Sequence, residues 1–99
     1  MSQISNLPDR VYRDIHMFAK KYNVERIVLF GSRARGTNRK RSDIDLAVFG
    51  GDFDNFLGDM QEKAHTLLIF DMVEADAGMA ENLKKEIEKD GVVIYEKNR

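Results

Sequence analysis

Two apolar runs decide the fold, and each borders a polar motif: VLFGSRARG at residues 28–36 and SDIDLAV at residues 42–48. The first run ends in Gly31 and Ser32, and glycine lets a backbone approach a phosphate closely because no Cβ intervenes. Backbone N–H groups at the start of a following helix, with the Ser32 hydroxyl as a further donor, can then bind the anion. The second run opens with Asp43 and Asp45, whose oxygens suit a divalent cation. Together the motifs favour a site for a metal-bound nucleoside triphosphate.

Asp43 and Asp45 are two residues apart on a predicted strand. Their side chains therefore point to the same face of the sheet, with Cα atoms about 6.5–7 Å apart. Carboxylates this close repel each other, and one of them tends to protonate unless a cation lies between them. Mg²⁺ is usually held by one or two carboxylates together with water and substrate phosphates. Asp-x-Asp alone is common at turns and strand starts, so its specificity here comes from the Gly-Ser pair at this spacing.

A third carboxylate, Asp71, interrupts a later apolar run, LLIFDMV at residues 67–73. By alternation it shares a face with Leu67, Ile69 and Val73. An unpaired carboxylate is costly to bury, so Asp71 needs a cation, a hydrogen-bond network or an exposed strand end. Two-metal phosphoryl transfer places two ions about 3.5–4 Å apart, and a third carboxylate would help to hold them. We therefore expect Asp71 to join Asp43 and Asp45 in one site.

Hydrophobic periodicity predicts four helices that alternate with four strands. The first helix carries Val11, Ile15, Phe18 and Tyr22 at spacings of four, three and four, which places them on one stripe. Strands are predicted at residues 26–30, 44–49, 67–73 and 92–95, and later helices at 33–35, from about 53 to 64 or 66, and at 79–90. The last helix is expected to end at Gly91 in the left-handed conformation that glycine permits. This order predicts an α/β (α+β) fold, with a mixed sheet of about four strands flanked by helices.

Composition bounds the class of protein. The chain has 99 residues, of which 42% are hydrophobic and 33% charged, which suits one compact domain with a core. No apolar run approaches the roughly 18 residues needed to span a bilayer, and the first residues lack the pattern of a secretory signal. The sequence contains no cysteine, so disulfides and thiolate metal sites are excluded, and a cytoplasmic location is expected.

Charge is unevenly distributed along the chain. The net charge is −1, yet residues 33–41 hold five basic residues and no acidic one. One basic stretch on an acidic body favours a local anion such as a triphosphate, whereas a nucleic acid would need basic residues over a wider surface. Arg33 and Arg35 are the candidate phosphate contacts. The role of Arg39, Lys40 and Arg41 stays open between triphosphate, RNA and an acidic partner.

The combination of GSRARG at residues 31–36 with SDIDLAV at residues 42–48 resembles the signature of the DNA polymerase β-like nucleotidyltransferase superfamily. It is most similar to the minimal nucleotidyltransferases (MNT domains), short proteins often paired with a HEPN-domain partner as a toxin–antitoxin system. The order of elements and the segment around Asp71 also fit. The resemblance therefore covers most of the chain and implies a single MNT domain over residues 1–99.

The resemblance implies Mg²⁺-dependent transfer of AMP from ATP to a hydroxyl (AMPylation), with release of pyrophosphate. Gly31 and Ser32 match the phosphate-binding pair, and Asp43 and Asp45 match the two metal-binding carboxylates. Asp71 matches the third carboxylate, which helps to hold the catalytic metal and assists deprotonation of the acceptor hydroxyl. In the paired systems the acceptor is a tyrosine of the HEPN toxin, so the chain is expected to act as the antitoxin.

Two other functions remain open from the sequence. In one, the chain is a non-catalytic binding module that neutralises its partner by direct contact. In the other, it is a nucleotidyltransferase subunit that modifies a small molecule. The intact Gly-Ser pair and three aspartates favour catalysis, because a binding module has no need of all five positions. A partner chain or self-association is expected to complete the cleft that receives the acceptor.

Overall fold

Four helices alternate with four strands in the computed structural model, which describes residues 7–36, 43–64, 69–75 and 78–97. The elements are α1 (Asp9–Lys21), β1 (Arg26–Phe30), α2 (Ser32–Arg35), β2 (Ile44–Phe49), α3 (Phe53–Lys63), β3 (Phe70–Glu74), α4 (Glu81–Asp90) and β4 (Val92–Glu96). This is the order that the sequence predicts. Within the described ranges, no helix is long and apolar enough to cross a membrane.

The strands form one mixed sheet in the order β3-β2-β1-β4. β1 runs antiparallel to β2 and to β4, whereas β2 and β3 run parallel. The parallel pair is connected through α3, as parallel neighbours require a crossover, usually a helix. The predicted α+β fold with a mixed sheet is confirmed.

Helices cover both faces of the sheet. α1 and α3 pack on one face and form the larger core, which contains the predicted α1 stripe residues Val11, Ile15 and Phe18 together with Phe56 and Met60 of α3. α4 packs on the other face, where the smaller core contains Val28, Phe30, Ala47, Ala75 and Ile87. Among the described residues of α4, Ile87 alone is buried. α4 therefore buries little of its surface against the sheet.

One predicted backbone conformation and two predicted element starts differ from the structure. The left-handed conformation expected at Gly91 is wrong, since its φ is −67°. Close packing explains the glycine instead, because a Cβ there would overlap the Ile87 carbonyl oxygen and come within 2.6 Å of Val28 Cγ1. α4 begins at Glu81, so Met79 precedes the helix rather than opening it. β3 begins at Phe70, and the residues at 67–68, where its start was predicted, lie outside the described ranges.

Gly58 lies inside α3, and a Cβ there would meet no atom within 4 Å in the part of the chain that the structure describes. Its φ is not positive, so alanine fits there and also restricts the unfolded chain more than glycine does. We expect Gly58→Ala to raise the free energy of unfolding by about 0.5–1 kcal/mol, measured by urea denaturation. Gly36→Ala is the matched control, because a Cβ there also meets no atom of the described residues but its φ is +78°, so this variant should be less stable than wild type. Destabilisation by Gly58→Ala would contradict the prediction.

Candidate active site

The first motif forms a tight turn between β1 and α2. Gly31 follows the last residue of β1 with a φ of +78°, a left-handed conformation that residues with side chains rarely adopt. Its carbonyl accepts a 3.1 Å hydrogen bond from the backbone N–H of Arg35, which spans the single turn of α2. Gly36 follows that turn, again with a φ of +78°. The predicted strand, turn and short helix are confirmed, while the side chain of Ser32 lies outside the described part of the structure.

Sheet register places the second motif against this turn. Phe30 of β1 is the register partner of Asp45 of β2, so the next residue of the chain lies against the Asp45 side chain. A Cβ on Gly31 would overlap Asp45 Oδ2 and would stand 3.1 Å from Asp45 Cγ. Glycine is therefore required twice here, by its positive φ and by the space that the carboxylate occupies. The turn at Gly31, which suits a phosphate, and the Asp45 carboxylate, which suits a cation, therefore meet at one end of the sheet.

Asp45 and Asp71 lie side by side on parallel strands. They are register partners in the β2–β3 pair, and their carboxyl groups share a hydrogen bond. Asp43 comes immediately before β2, close enough for its charge to act on Asp45. Asp71 is exposed on β3, the outermost strand on this side of the described sheet. Of the environments that the sequence left open for Asp71, the structure shows an exposed strand and a hydrogen bond with a second carboxyl group.

Asp45 holds its proton far more tightly than an ordinary carboxyl group. Burial is the largest cause, and the negative charges of Asp71, Asp43 and Glu86 add to it, which raises the pKa of Asp45 to about 6. The hydrogen bond with Asp71 also raises the pKa of Asp45, because a hydrogen bond that the neutral form donates favours that form. Mutual repulsion of this kind is relieved by a cation, so the electrostatics of the three aspartates favour cation binding.

The two predicted phosphate contacts lie in different environments. Arg33 is buried, with 4% of its surface exposed, and burial lowers its pKa. Arg35 is exposed, and its Nη1 atom lies 3.7 Å from Asp90 Oδ2 and 3.9 Å from Glu86 Oε2, both on α4. Arg35 is therefore better placed than Arg33 to meet a phosphate from solvent. The basic residues at 39–41 lie outside the described ranges.

The aspartates supply part of a metal site rather than a complete cage. In the portion of the chain that the structure describes, no group of three histidine, cysteine or acidic side chains has an arrangement that would hold a metal ion by itself. The oxygen donors of Asp43, Asp45 and Asp71 nonetheless match Mg²⁺, which takes one or two carboxylates and completes its shell with water and phosphate oxygens. These residues thus fit a cation that binds together with a triphosphate.

Glu86 and Asp90 lie next to Arg35 at the candidate site, a contact that the sequence pattern did not predict. Both lie on α4 and approach Arg35, and Glu86 also raises the pKa of Asp45. A signal was present in the sequence. Acidic residues four apart on a helix repel each other, and an acidic residue in the last turn opposes the helix dipole. A cation nearby in space, here Arg35, offsets this repulsion.

A family model covers most of the chain. The model, described as "Polymerase beta, Nucleotidyltransferase", matches residues 13–99, which include both motifs and Asp71. The chain therefore belongs to the polymerase β nucleotidyltransferase family, and the superfamily resemblance seen in the sequence is confirmed. The family name indicates nucleotidyltransferase activity. Among the curated proteins, none matches the chain.

Two solved structures share the fold. One is described as "Crystal structure of the toxin-antitoxin with AMP-PNP" and has a TM-score of 0.68 and 24% identity, covering 87% of this chain and 73% of that chain. The other is a mutant of the toxin-antitoxin MntA-HpeT with a TM-score of 0.67 and 22% identity, again covering 87% of this chain and 73% of that chain. At these identities the likeness establishes a common fold.

Proposed function

We propose that this chain is a Mg²⁺-dependent adenylyltransferase that transfers AMP from ATP to a hydroxyl group of a partner protein. The partner is a HEPN toxin, the acceptor is one of its tyrosines, and the chain acts as the antitoxin. The contact of Gly31 with Asp45, which in turn lies beside Asp71, carries the proposal. It joins a turn that suits phosphate to carboxylates that suit a cation, within a family of nucleotidyltransferases.

The solved structures of similar fold support the nucleotide and the partner. One contains AMP-PNP, an ATP analogue, and both are toxin–antitoxin proteins. The mutant form of the second has two aspartates, separated by one residue, replaced by glutamate. Asp43 and Asp45 have the same spacing, which supports a functional role for this pair.

Each residue of the site has a distinct role in the proposed reaction. Bound Mg²⁺ would neutralise phosphate charge and stabilise the developing negative charge. Asp43 and Asp45 hold the cation, and Gly31 with Ser32 binds the phosphates through close backbone approach. Asp71 helps to hold the cation and accepts the proton of the acceptor hydroxyl. The acceptor oxygen then bonds to the α-phosphorus, the bond between that phosphorus and the bridging oxygen breaks, and pyrophosphate leaves.

Incubation with α-labelled ATP, Mg²⁺ and a candidate partner tests the proposal. The candidate is the small helical protein encoded beside the chain, if there is one. We expect label on the partner, and we expect Asp43→Asn to lower the rate by at least about 100-fold, because the variant loses a ligand of the cation. Glu62→Gln, an exposed acidic change on α3, is the matched control and should label the partner at the wild-type rate.

Other outcomes of the same experiment identify the alternatives. A partner that binds tightly without label would contradict catalysis and favour a binding module. Label on an added small molecule such as an aminoglycoside, with none on the partner, would indicate a nucleotidyltransferase with a small-molecule acceptor. Full transfer by Asp43→Asn would contradict the role given to the aspartate pair.

A further inference from the structure

Arg35 lies between the candidate active site and α4. It ends α2, the turn that follows Gly31, and its Nη1 atom contacts Glu86 Oε2 at 3.9 Å and Asp90 Oδ2 at 3.7 Å. Glu86 and Asp90 are four residues apart, so they lie on one side of α4 and approach the same guanidinium group. Glu86 also acts electrostatically on Asp45. Glu86 thus connects the arginine to the aspartate cluster, whereas Asp90 contacts the arginine alone among these groups.

The position of these two acidic residues is unfavourable for α4 on its own. Like charges four residues apart on a helix repel each other. Asp90 is the last residue of α4, where the helix dipole favours a cation. Glu86 adds negative charge beside aspartates that already repel one another. Placements that break local rules concentrate at functional sites, and here Arg35 offsets the charge of both residues.

The ion pairs of Arg35 are easily exchanged for other contacts. Their distances are long for a charged hydrogen bond, and a single guanidinium nitrogen serves both carboxylates. The side chains of Arg35, Glu86 and Asp90 are 42%, 44% and 25% exposed, and exposed pairs contribute little. A phosphate group offers the guanidinium two parallel hydrogen bonds with full charge. A triphosphate can therefore displace the carboxylates from Arg35.

We propose that Glu86 and Asp90 compete with a nucleoside triphosphate for the guanidinium group of Arg35 and thereby set the nucleotide affinity of the site. This inference rests on the proposed function, because it takes the ligand to be a nucleoside triphosphate. Both acidic residues are positioning residues, since they act on the ligand through Arg35. Without nucleotide, Glu86 and Asp90 compensate the charge of Arg35. When nucleotide binds, the guanidinium group leaves these carboxylates and contacts the phosphates.

Binding of a fluorescent ATP analogue in the presence of Mg²⁺ tests the inference on the full chain. We expect Glu86→Gln and Asp90→Asn each to tighten binding by about two- to fivefold, the range that exposed ion pairs permit. Glu86→Asp keeps the charge and should bind as the wild type does. Glu88→Gln is the matched control, because it removes the same charge from another side of α4. Glu88 lines a groove together with Arg26 and Val93, so this variant should bind nucleotide as the wild type does.

A double-mutant cycle separates competition for Arg35 from a general charge effect. In an Arg35→Ala background, Asp90→Asn should no longer tighten binding, because the group for which it competes is gone. Unchanged or weaker binding in both single variants would overturn the inference, as would a gain that persists without Arg35. If the competition is disproved in this way while the wild-type chain still binds the nucleotide, the proposed function stands. Absence of nucleotide binding by the wild-type chain would overturn both.

Discussion

Asp45→Asn is expected to lower the rate of nucleotidyl transfer by about 10³-fold or more, because a carboxylate that holds the cation contributes several kcal/mol to the transition state. The same change is expected to make the folded chain more stable above pH 6. Asp45 lies against Gly31, touches Asp71 and faces two further negative charges. Without a bound cation, the negative charge of Asp45 destabilises the folded state. Activity and stability should therefore change in opposite directions.

The gain in stability has a defined pH dependence. In the unfolded chain Asp45 loses its proton near the usual pKa of about 4, whereas in the folded chain it keeps the proton up to about 6. Between these values the folded state binds more protons, so this group lowers the free energy of unfolding as pH rises. Above pH 6 the Asp45→Asn variant should have a free energy of unfolding about 1 kcal/mol higher than that of the wild type. This is well below the value that the full pKa shift would give, because solvent screens a partly exposed carboxyl group.

Urea denaturation of wild type and Asp45→Asn at pH 4 and pH 7 measures this effect. The difference between the two proteins should be present at pH 7 and nearly absent at pH 4. Mg²⁺ with a nucleotide should raise the melting temperature of the wild type and leave the variant unchanged. An equal difference at both pH values would contradict the electrostatic explanation, and substantial transfer by the variant would contradict the role of Asp45.

Gly31→Ala is expected to impair both folding and catalysis. Its backbone φ of +78° strains any residue with a Cβ, and that Cβ would overlap Asp45 Oδ2. We expect the free energy of unfolding to fall by about 1–3 kcal/mol. The carboxylate must also move aside, and a displacement of about 1 Å in a catalytic group lowers the rate by about 100-fold. Urea denaturation and the labelled-ATP assay measure the two effects.

Two comparisons show whether the contact with Asp45 is responsible. Gly36→Ala introduces a side chain at the same φ but with no atom of the described residues within 4 Å, so it should lose stability through backbone strain and retain most activity. Combined with Asp45→Ala, the Gly31 substitution should cost less stability than it does in the wild-type chain, since the overlapping carboxylate is gone. Equal stability costs for the Gly31 and Gly36 changes would refute the overlap.

Local signals were sufficient to predict much of the site. The apolar run before Gly31 and the alternation around Asp45 identify adjacent strands, and the antiparallel pairing of Phe30 with Asp45 brings the motifs together. Asp71 could be predicted although it lies far along the chain. An acidic residue within an apolar run requires a special environment, and that argument does not depend on knowing which strand lies next to it.

Other parts of the site depend on packing that the sequence pattern does not specify. The periodicity of α4 predicts a helix, but it does not state which side faces Arg35, so the contacts of Glu86 and Asp90 were missed. Arg33 and Arg35 look equivalent in the sequence, and the turn of α2 buries the first and exposes the second. Gly91 is a close-packed residue rather than a left-handed cap, because a Cβ there would overlap the Ile87 carbonyl oxygen and crowd Val28, which lies on a distant strand.

The location of Asp71 on β3 has a consequence for the acceptor. In the described sheet β3 is an outer strand, and Asp71 is an exposed residue there. Among the described residues, the group proposed to receive the acceptor proton is thus reached from the side of the sheet. Such an approach sets no upper limit on the size of the molecule that carries the hydroxyl. A tyrosine on a folded protein can enter as readily as a small alcohol, so selectivity must come from how the carrier docks.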